Sequence, residues 1–424
     1  MANEFSELGA EPIDVAIIGA GIIGLAVAQK LQARGRRVTL IERGAVAMGA
    51  SFGNAGAFAF SDILPLAASG KLRRVPGWLL DPLGPLSIPP SYLPTILPWL
   101  LRFWRAGWPD RFKHSVMAQS ALMGLAESEM ALLVAEAGLA DMVRSDGSIE
   151  LYESEAELMA SEAGWRIRTE HGVAFEHVRG ERLAELQPGL SPHFAAGTFV
   201  PGWKTVSDPH HFALGVAAHL RKAGARFLQG EAAAVAPQGQ GVEISLVDGR
   251  RLSAAAVVIA SGAWSKRLTG PLGDRIPLET ERGYNTTLPV GAFPLRRQLI
   301  FGGHGFVITP MATGLRVGGA VELGGLDLPP NYARSAAMLA KAARFLPGLK
   351  TEDGRQWMGF RPSLPDSLPV IGPSRASPRI VYAFGNGHLG LTQSAGTGRL
   401  AADLVCAAPP AIALAPFSPQ RFRG

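Results

Sequence analysis

Cysteine, long apolar runs and charge of one sign are all scarce in this sequence, and each scarcity excludes a class of protein. Cys406 is the only cysteine among 424 residues, so intramolecular disulfides and cysteine-ligated metal clusters are excluded, and we expect no metal site. No uninterrupted apolar run is long enough to span a bilayer. Residues 1–12 lack the charged-then-apolar pattern of a signal peptide, so we expect no export and a cytoplasmic location.

The net charge is only +6, from 41 Lys and Arg against 35 Asp and Glu, and the basic residues are scattered along the chain. Without a clustered basic stripe, nucleic acid is not an expected partner. Hydrophobic residues make up 47% and charged residues 18% of the chain, which favours a well-packed globular protein. At this length one simple core is not enough, so we expect two domains.

The stretch from Ile13 to Arg43 has the pattern of an apolar strand, a glycine-rich turn, a helix and a second strand that ends in Glu42. Gly19, Gly21 and Gly24 supply the strained turn, the close backbone approach and the tight helix–strand packing that a pyrophosphate site needs. Glu42 stands where an acidic residue accepts hydrogen bonds from an adenosine ribose. The pattern predicts a dinucleotide site; the alternative is a glycine turn that only packs a strand on a helix.

Further along the chain, strand and helix patterns alternate in separated segments. Asp248-Gly249 predicts a hairpin turn, and residues 256–260 predict a buried strand that rejoins the sheet begun at Ile13. Alternating segments between residues 276 and 360 predict an antiparallel sheet of a second domain. Residues 381–405 again have the order strand, glycine turn and helix, so we expect a second cofactor-facing unit there.

The chain contains, in this order, eight motifs that resemble those of the D-amino-acid oxidase family of flavoproteins: AIIGAGIIGLAVAQKL, IER, ASFGNAG, VVIASGAWS, ERGYNTTL, RVGGAVE, GFRPSLPDSLPVIGP and GHLGLTQSAGTGRLAADL. The sequence is most similar to the bacterial D-amino-acid dehydrogenase branch. The resemblance implies an α/β fold, in which a Rossmann-like FAD-binding domain of the glutathione-reductase type carries an inserted α+β substrate domain built on an antiparallel sheet. We expect the FAD-binding domain at residues 1–75, 207–271 and 366–424, and the substrate-binding domain at 76–206 and 272–365.

The resemblance also implies that the dinucleotide is FAD and that separate parts of the chain hold it. The glycine turn would hold the pyrophosphate, the loop after residue 50 would run beside the flavin and phosphates, and the turn after residue 386 would face the flavin pyrimidine edge. The FAD-binding residues predicted in this way are Gly19, Gly21, Ile22, Ile23, Gly24, Glu42, Arg43, Ser51, Asn54, Ala55, Gly56, Ser261, Gly262, Trp264, Gly387, His388, Leu389, Gly390, Leu391 and Thr392.

Arg361, in the motif GFRPSLP, is the predicted substrate anchor. In the family, the matching arginine binds the substrate carboxylate through two parallel hydrogen bonds, which orients the Cα–H toward flavin N5. Tyr284 is the second predicted catalytic and substrate-binding residue, and His304 or Phe306 would line the pocket where some relatives carry a tyrosine. Two alternatives stay open: Arg361 forms a structural salt bridge with Asp366, and Tyr284 is a core residue.

These matches imply oxidative deamination of a D-amino acid, or of a related small amino or imino acid such as a D-proline derivative. A hydride passes from Cα to flavin N5, and the imino acid then reacts with water to give a 2-oxo acid and ammonia. We expect a quinone-type acceptor to take the electrons. The alternatives are an oxygen-using oxidase of the glycine or sarcosine type, and a flavin-containing subunit without catalysis.

Residues 78–108 contain four of the eight tryptophans, with leucines and arginines between them. One interpretation is a core helix pair that covers the substrate domain. The other is peripheral contact with the inner face of the cell membrane, apolar side toward lipid, near a membrane quinone. Elsewhere, we expect His210 and His211 to be a capping or solvated pair and Cys406 to be a buried thiol rather than a flavin tether.

Overall fold

The computed structural model describes Phe5 and residues 13–67 and 83–422. In this part of the chain, residues of two large sheets line one cavity, and the predicted α/β fold with an antiparallel second sheet is confirmed. The helices are α1 (Ile22–Gln32), α2 (Leu93–Ala106), α3 (Pro109–Glu136), α4 (Glu155–Glu170), α5 (Gly180–Leu186), α6 (Pro209–Lys222), α7 (Ser265–Thr269), α8 (Ala333–Phe345) and α9 (Gly390–Val405).

The first sheet combines strands from separated segments of the chain. They are β1 (Ile13–Ile18), β2 (Val38–Glu42), β10 (Arg226–Gln229), β11 (Ala232–Gln238), β12 (Gly241–Leu246), β13 (Arg251–Ile259), β19 (Val370–Pro373) and β20 (Ile380–Phe384). Strands β10, β2, β1, β13 and β20 are parallel neighbours in that order, whereas β11, β12 and β19 pair antiparallel with their neighbours. Val15, Ala16 and Ile17 are fully buried, because a central parallel strand is covered on both faces.

Helices α1, α6 and α9 share one apolar core with the first sheet. Helices α1 and α9 begin at the edge where the parallel strands end, so the backbone of their first turns lines the cavity. Asp208 caps α6, since its side chain accepts a hydrogen bond of 2.8 Å from the backbone N–H of His211. His210 and His211 therefore lie in the first turn of α6, and the cap itself is the aspartate.

The second sheet is mostly antiparallel. Its strands are β4 (Leu86–Ser87), β6 (Ser148–Tyr152), β7 (Glu176–Arg179), β8 (Ala196–Val200), β14 (Glu279–Leu288), β15 (Gln298–Phe301), β16 (Phe306–Met311), β17 (Gly314–Leu323) and β18 (Arg355–Ser363). The main path runs β18, β14, β17, β16, β15, β6, β8 and β7, and the β6–β15 and β4–β17 pairs are parallel. A third, small sheet consists of β3 (Ala57–Phe58), β5 (Val143–Arg144) and β9 (Lys204–Val206).

The two faces of the second sheet have different neighbours. On the outer face, helix α8 packs through Met338, Ala342 and Phe345 into an apolar core. The opposite face, called the inner face below, lines the cavity. Because side chains alternate along a strand, successive residues of β14 point in turn to the cavity and to the outer core, so odd-numbered and even-numbered residues lie on opposite faces.

Several sequence predictions are confirmed by the strand pairing. Strands β12 and β13 form the hairpin predicted around Asp248-Gly249, and β13 pairs in parallel with β1. The antiparallel sheet predicted between residues 276 and 360 is present as β14 to β18. The domain boundaries near residues 75, 206, 271 and 365 stay a prediction.

Part of the predicted membrane segment, including Trp78, lies outside the described residues. From Leu93 to Ala106 the chain forms a continuous helix, α2, which runs through Pro98. Ile96 and Trp99 pack against Leu323 of the second sheet. The other side of the helix stays exposed. Among the helices that the structure describes, none combines the length and apolarity needed to cross a membrane.

Candidate active site

One cavity of about 810 Å³ lies between the carboxyl ends of the parallel strands and the inner face of the second sheet. Ligand sites in proteins occupy roughly 300–1,000 Å³ and lie preferentially beyond the carboxyl ends of such strands. Its lining includes the turn after β1, the end of β2, the loop 43–57 and the turn 384–392. Most of the predicted site residues therefore border a single space.

The glycine turn after β1 shows why each of its glycines is needed. Gly19 has a φ of +108°, and a Cβ there would lie 2.5 Å from the Ala260 carbonyl oxygen. A Cβ at Gly24 would lie 2.0 Å from the Gly19 carbonyl oxygen, so Gly24 serves the packing of α1 on the turn and does not line the cavity. At Gly21 a Cβ would meet only Ser51 Oγ, at 3.4 Å, within 4 Å. The open side of Gly21 faces the cavity, as a pyrophosphate site requires.

Glu42 and Ser51 are oriented toward the same turn by backbone donors. The Ala20 N–H donates to Glu42 Oε2 at 2.8 Å, and the Gly44 N–H donates to Glu42 Oε1 at 3.3 Å. Each oxygen keeps a lone pair for a ribose hydroxyl. Ser51 Oγ accepts a hydrogen bond of 3.0 Å from the Ile22 N–H, which fixes the loop against the start of α1.

The end of the cavity beside Glu42 has aromatic and cationic walls. The Arg43 guanidinium lies over the Trp264 ring, 3.7 Å from its centroid, and is 3.9 Å from the Glu231 carboxylate. Ser261 donates to the Ile18 carbonyl at 3.2 Å, and Gly262 has a φ of +55°. This flat arrangement fits the adenosine half of a dinucleotide.

The small-residue loop is organised by Asn54. Its Oδ1 accepts from the Gly56 N–H at 2.8 Å, and its Nδ2 donates to the Ser51 carbonyl at 3.1 Å. Asn54 and Ala55 line the cavity, and their contact with FAD stays a prediction. Gly56 does not, because its carbonyl accepts from the Val206 N–H and it packs beneath the loop, with a φ of +64°. Its predicted contact with the cofactor is therefore replaced by a structural role.

The turn before α9 borders the opposite side of the cavity. Gly387, His388, Leu389, Gly390, Leu391 and Thr392 all line it. The Thr392 hydroxyl accepts from the Ala59 N–H and donates to the Ala57 carbonyl, both at 3.0 Å, which ties α9 to the small-residue loop. His388 Nε2 lies 3.3 Å from Asp62. The His388 ring therefore points toward Asp62, and we assign it no role in proton transfer.

Arg361 lies on the inner face of the second sheet, with its guanidinium over Gly283. Its Nη1 and Nη2 donate to the carbonyls of Ala320 and Gly319 at 3.2 and 3.5 Å. It forms no ion pair with a carboxylate among the described residues. Burial lowers the pKa of the guanidinium, and the nearby Glu281 carboxylate opposes that shift. A partly buried guanidinium that lines the cavity and has no carboxylate partner among the described residues is suited to bind a carboxylate ligand.

The alternative interpretation of Arg361 as the structural partner of Asp366 is wrong. The Asp366 carboxylate pairs with Arg421 instead, with Nε to Oδ2 at 2.7 Å. Because Asp366 is already neutralised elsewhere, it does not compete for the Arg361 guanidinium.

Tyr284 is among the residues that line the cavity, but its hydroxyl is directed to groups outside it. Its parity on β14 places the ring in the outer core with α8, and the hydroxyl donates to Glu322 Oε2 at 2.5 Å and accepts from the Asn331 N–H at 3.1 Å. Burial raises the pKa of this hydroxyl to about 12, so it stays a donor. The prediction that the phenol contacts substrate is therefore corrected, and the core alternative describes its side chain.

The two predicted pocket residues, His304 and Phe306, have different positions relative to the cavity. Phe306 borders the cavity, although its ring stacks on Phe301 with centroids 4.7 Å apart. His304 does not line the cavity: it lies in a tight turn closed by Gly305 and places Nε2 2.5 Å from Glu153 on the opposite side. The left-handed Gly305, with a φ of +67°, turns the chain so that the imidazole points away.

Two charged residues on the inner face, Glu281 and Arg316, line the cavity and were not predicted from the sequence. Arg316 donates to the Asn54 carbonyl at 2.7 Å and to Thr287 Oγ1 at 3.0 Å. Burial lowers its pKa, and Asp208 opposes the shift. The sequence does indicate that side chains alternate along β14, which puts residues 281, 283, 285 and 287 on one face. Only the tertiary structure shows which of the two faces lines the cavity.

Cys406 lies directly after α9 and does not line the cavity. It is partly exposed, so the expectation that it is a buried thiol is wrong. No group of three or more histidine, cysteine or acidic side chains in the described ranges is arranged to hold a metal ion.

Known proteins resemble this chain over nearly its whole length. The profile of a family described as FAD dependent oxidoreductase (DAO) matches residues 14–404. A D-amino-acid oxidase of Bradyrhizobium diazoefficiens is 37% identical over 418 residues, which cover 96% of this chain and 98% of that protein. A D-amino acid dehydrogenase of Xylella fastidiosa is 30% identical, covering 93% and 92% of the two chains. Glycine oxidase from Geobacillus kaustophilus has a TM-score of 0.76 at 25% identity, over 98% of this chain and 100% of its own.

Proposed function

This chain belongs to the DAO family of FAD-dependent oxidoreductases, and we propose that it oxidises D-amino acids or a related small amino or imino acid such as a D-proline derivative. It is an FAD-dependent enzyme that acts on amino acids at a CH–NH₂ or CH–NH group. The preference for the D-enantiomer is supported by relatives named D-amino-acid oxidase and D-amino acid dehydrogenase.

The residues around the cavity fit FAD. The open side of Gly21 and the first turn of α1 would hold the pyrophosphate, and Glu42 the adenosine ribose. Arg43 and Trp264 would flank the adenosine half, while Asn54, Ala55 and the turn before α9 would border the flavin. A continuous cavity from Glu42 to Arg361 supports this assignment.

The observation that carries the proposal is the Arg361 guanidinium, which lines the cavity and lacks a carboxylate partner among the described residues. A planar guanidinium binds a carboxylate through two parallel hydrogen bonds, which fixes position and orientation together. The bound FAD supplies the acceptor for a hydride from the substrate Cα. Arg361 holds the substrate so that this hydrogen points into the cavity, and orientation of this kind accounts for much of the rate.

The substrate reacts as the neutral amine, so its ammonium group first releases one proton to water. Loss of the Cα hydride then gives the imino acid in its protonated form. Water then converts it to a 2-oxo acid and ammonia, a step that needs no further protein group.

The direct test is anaerobic mixing of the purified yellow protein with a panel of D-, L- and N-methyl amino acids, followed at the visible flavin band. We expect D-amino acids or D-proline derivatives to bleach the band and their L-enantiomers to do so at least 10-fold more slowly. Bleaching by glycine or sarcosine alone would instead favour the second candidate, an amine oxidase of the glycine type, which the similarity to glycine oxidase supports.

Gly283→Ala should slow substrate oxidation without removing FAD. A Cβ at this position would lie 2.4 Å from Arg361 Nη2, so the guanidinium must move. Because a displacement of about 1 Å at a positioning group can cost roughly 10²-fold in rate, we expect flavin reduction to be slowed by about 10- to 100-fold. Stopped-flow reduction measures it. Gly124→Ala, where no atom lies within 4 Å of the added Cβ, is the control; equal rates in both variants would contradict the assignment of Arg361.

The proposed electron acceptor is a membrane quinone, and a stripe of exposed apolar side chains supports it. Leu93, Leu97, Leu101 and Trp104 follow one side of α2 and are 47%, 49%, 58% and 56% exposed. This apolar stripe of α2 has the form of a helix that lies in a membrane interface. The exposed Arg102 would interact with anionic headgroups at the inner face of the cell membrane.

The double variant Leu97→Glu/Leu101→Glu should lose affinity for vesicles that contain anionic lipid, by about 10-fold or more, because apolar contact is replaced by repulsion. Co-sedimentation measures the bound fraction. The control is Leu132→Glu/Met159→Glu, which changes side chains that are 52% and 71% exposed on α3 and α4. Equal binding of the two variants and the wild type would argue against membrane contact through this stripe.

Oxygen is the alternative acceptor, favoured by the 37% identity to a protein named D-amino-acid oxidase. Comparing oxygen consumption with reduction of a quinone-like dye under the same substrate concentration distinguishes the two. A flavin-containing subunit without catalysis would retain FAD but show neither activity.

A further inference from the structure

Glu281 is a buried carboxylate that lines the cavity, and the function proposed above leaves it without a role. Its exposed fraction is 4%. It lies directly opposite Arg361 in the register between β14 and β18. Residues that face each other in this way have Cβ atoms about 4.5–5.5 Å apart and project from the same face of the sheet. Glu281 and Arg361 thus present opposite charges side by side.

The Glu281 carboxylate is not used by the protein itself. Among the described residues it forms no hydrogen bond and no ion pair, and the Arg361 N–H groups are directed to the carbonyls of Gly319 and Ala320. The charge of Glu281 is close enough to act on the Arg361 pKa but does not neutralise the guanidinium by contact. A carboxylate left unpartnered in a buried site is costly unless a ligand completes it.

The other acidic residues of the cavity wall differ from Glu281 in this respect. Glu42 accepts two backbone N–H groups, Asp62 pairs with Arg168 and His388, and Glu231 lies 3.9 Å from Arg43. Glu279, two residues before Glu281, accepts from the Tyr92 hydroxyl at 3.0 Å. Of the acidic side chains that line the described cavity, Glu281 is the one whose partner is missing.

We propose that Glu281 binds the α-ammonium group of the substrate while Arg361 binds its α-carboxylate. This inference rests on the function proposed above and extends it to the zwitterionic form of the substrate. At neutral pH a free amino acid carries both charges on groups attached to one carbon. Two neighbouring side chains of opposite charge, neither of them in an ion pair among the described residues, match that pattern, whereas a plain carboxylic acid would meet repulsion from Glu281.

Holding the substrate at two charged points also restricts its orientation. When its carboxylate and its ammonium group are both bound, the substrate can rotate only about the line that joins them. That rotation decides which Cα substituent faces the cofactor. The remaining pocket wall then determines which enantiomer presents hydrogen rather than its side chain. Glu281 is therefore a residue that contacts substrate and favours amino acids over carboxylic acids without an amine.

The test is Glu281→Gln, which removes the charge but keeps the shape. Two constants are measured on the FAD-loaded protein: the Kd of the D-amino acid that bleaches the wild type fastest, from the concentration dependence of anaerobic reduction, and the Kd of the carboxylic acid with the same side chain and no amine, from the perturbation of the flavin spectrum. We expect the first Kd to rise about 10-fold or more and the second to stay equal or fall. A general loss of structure would weaken both.

Glu279→Gln is the matched control, and it should change both constants by less than about 2-fold. Glu281→Asp should recover part of the amino-acid affinity. Parallel changes in the two Kd values, or no change in either, would overturn the role of Glu281. If no amino or imino acid reduces the wild-type flavin, the proposed function fails instead, so the two failures are distinguishable.

Discussion

The Arg361→Leu variant is expected to retain FAD and to lose substrate-dependent bleaching of the flavin by roughly 10²- to 10⁴-fold. Each hydrogen bond to a charged group contributes about 1.5–3 kcal/mol, and a bidentate carboxylate contact contains two of them. Each 1.4 kcal/mol corresponds to about 10-fold. The guanidinium contacts two backbone carbonyls and no carboxylate among the described residues, so its removal breaks no ion pair, although Glu281 loses the positive charge opposite it.

Rapid-mixing reduction of the flavin measures this loss, and the ratio of visible to ultraviolet absorbance measures FAD content. Arg251→Leu changes a guanidinium that is 74% exposed and serves as the control. Arg361→Lys should fall between the wild type and the leucine variant, because an ammonium keeps the charge but not the planar pair of donors. Unchanged reduction in Arg361→Leu would remove the basis of the proposed function.

The second large effect is a difference between alanine substitutions at Gly24 and Gly21, two glycines of the same turn. Gly24→Ala should destabilise the fold by roughly 3 kcal/mol, because a Cβ there lies 2.0 Å from the Gly19 carbonyl oxygen and the backbone of the turn must move. Gly21→Ala should leave the fold intact, since its φ of −76° and ψ of 177° suit alanine. The added methyl group would instead occupy the space assigned to the pyrophosphate and weaken FAD binding by about 10- to 100-fold.

Thermal unfolding and FAD titration distinguish the two variants. We expect a lower melting temperature and a poor yield of folded protein for Gly24→Ala, and a near-normal melting temperature of the FAD-free protein with reduced FAD affinity for Gly21→Ala. Gly44→Ala adds a Cβ with no atom within 4 Å and is the control. FAD affinity that is unchanged in Gly21→Ala would contradict the assignment of this turn to the pyrophosphate.

Local patterns made the cofactor side of the protein predictable. The apolar run of β1, the glycine spacing and Glu42 can each be interpreted from a short stretch of sequence, because neighbouring residues form a turn and a helix N-terminus. The structure brings these residues to one cavity together with the loop at Asn54 and the turn before α9. The two glycines that do not line it, Gly24 and Gly56, belong to the same turns but serve packing.

The substrate side was harder because it depends on which face of a strand is buried. Tyr284 and Glu281 are three residues apart on β14, and opposite parity sends the phenol to the outer core and the carboxylate to the cavity. The period of two is visible in the sequence, but both faces of this sheet are covered. Polarity therefore did not reveal which face is which.

Taken by itself, the sequence determined that the chain has a dinucleotide turn, a mixed α/β fold and an arginine suited to a carboxylate, because these follow from local spacing and residue chemistry. Tertiary structure alone decided that Asp366 is neutralised by Arg421, that His304 points away, and that Glu281 stands unpartnered beside Arg361. The physical reason is that the role of a charged side chain depends on which groups lie beside it. In a sheet those groups come from strands far apart in the chain.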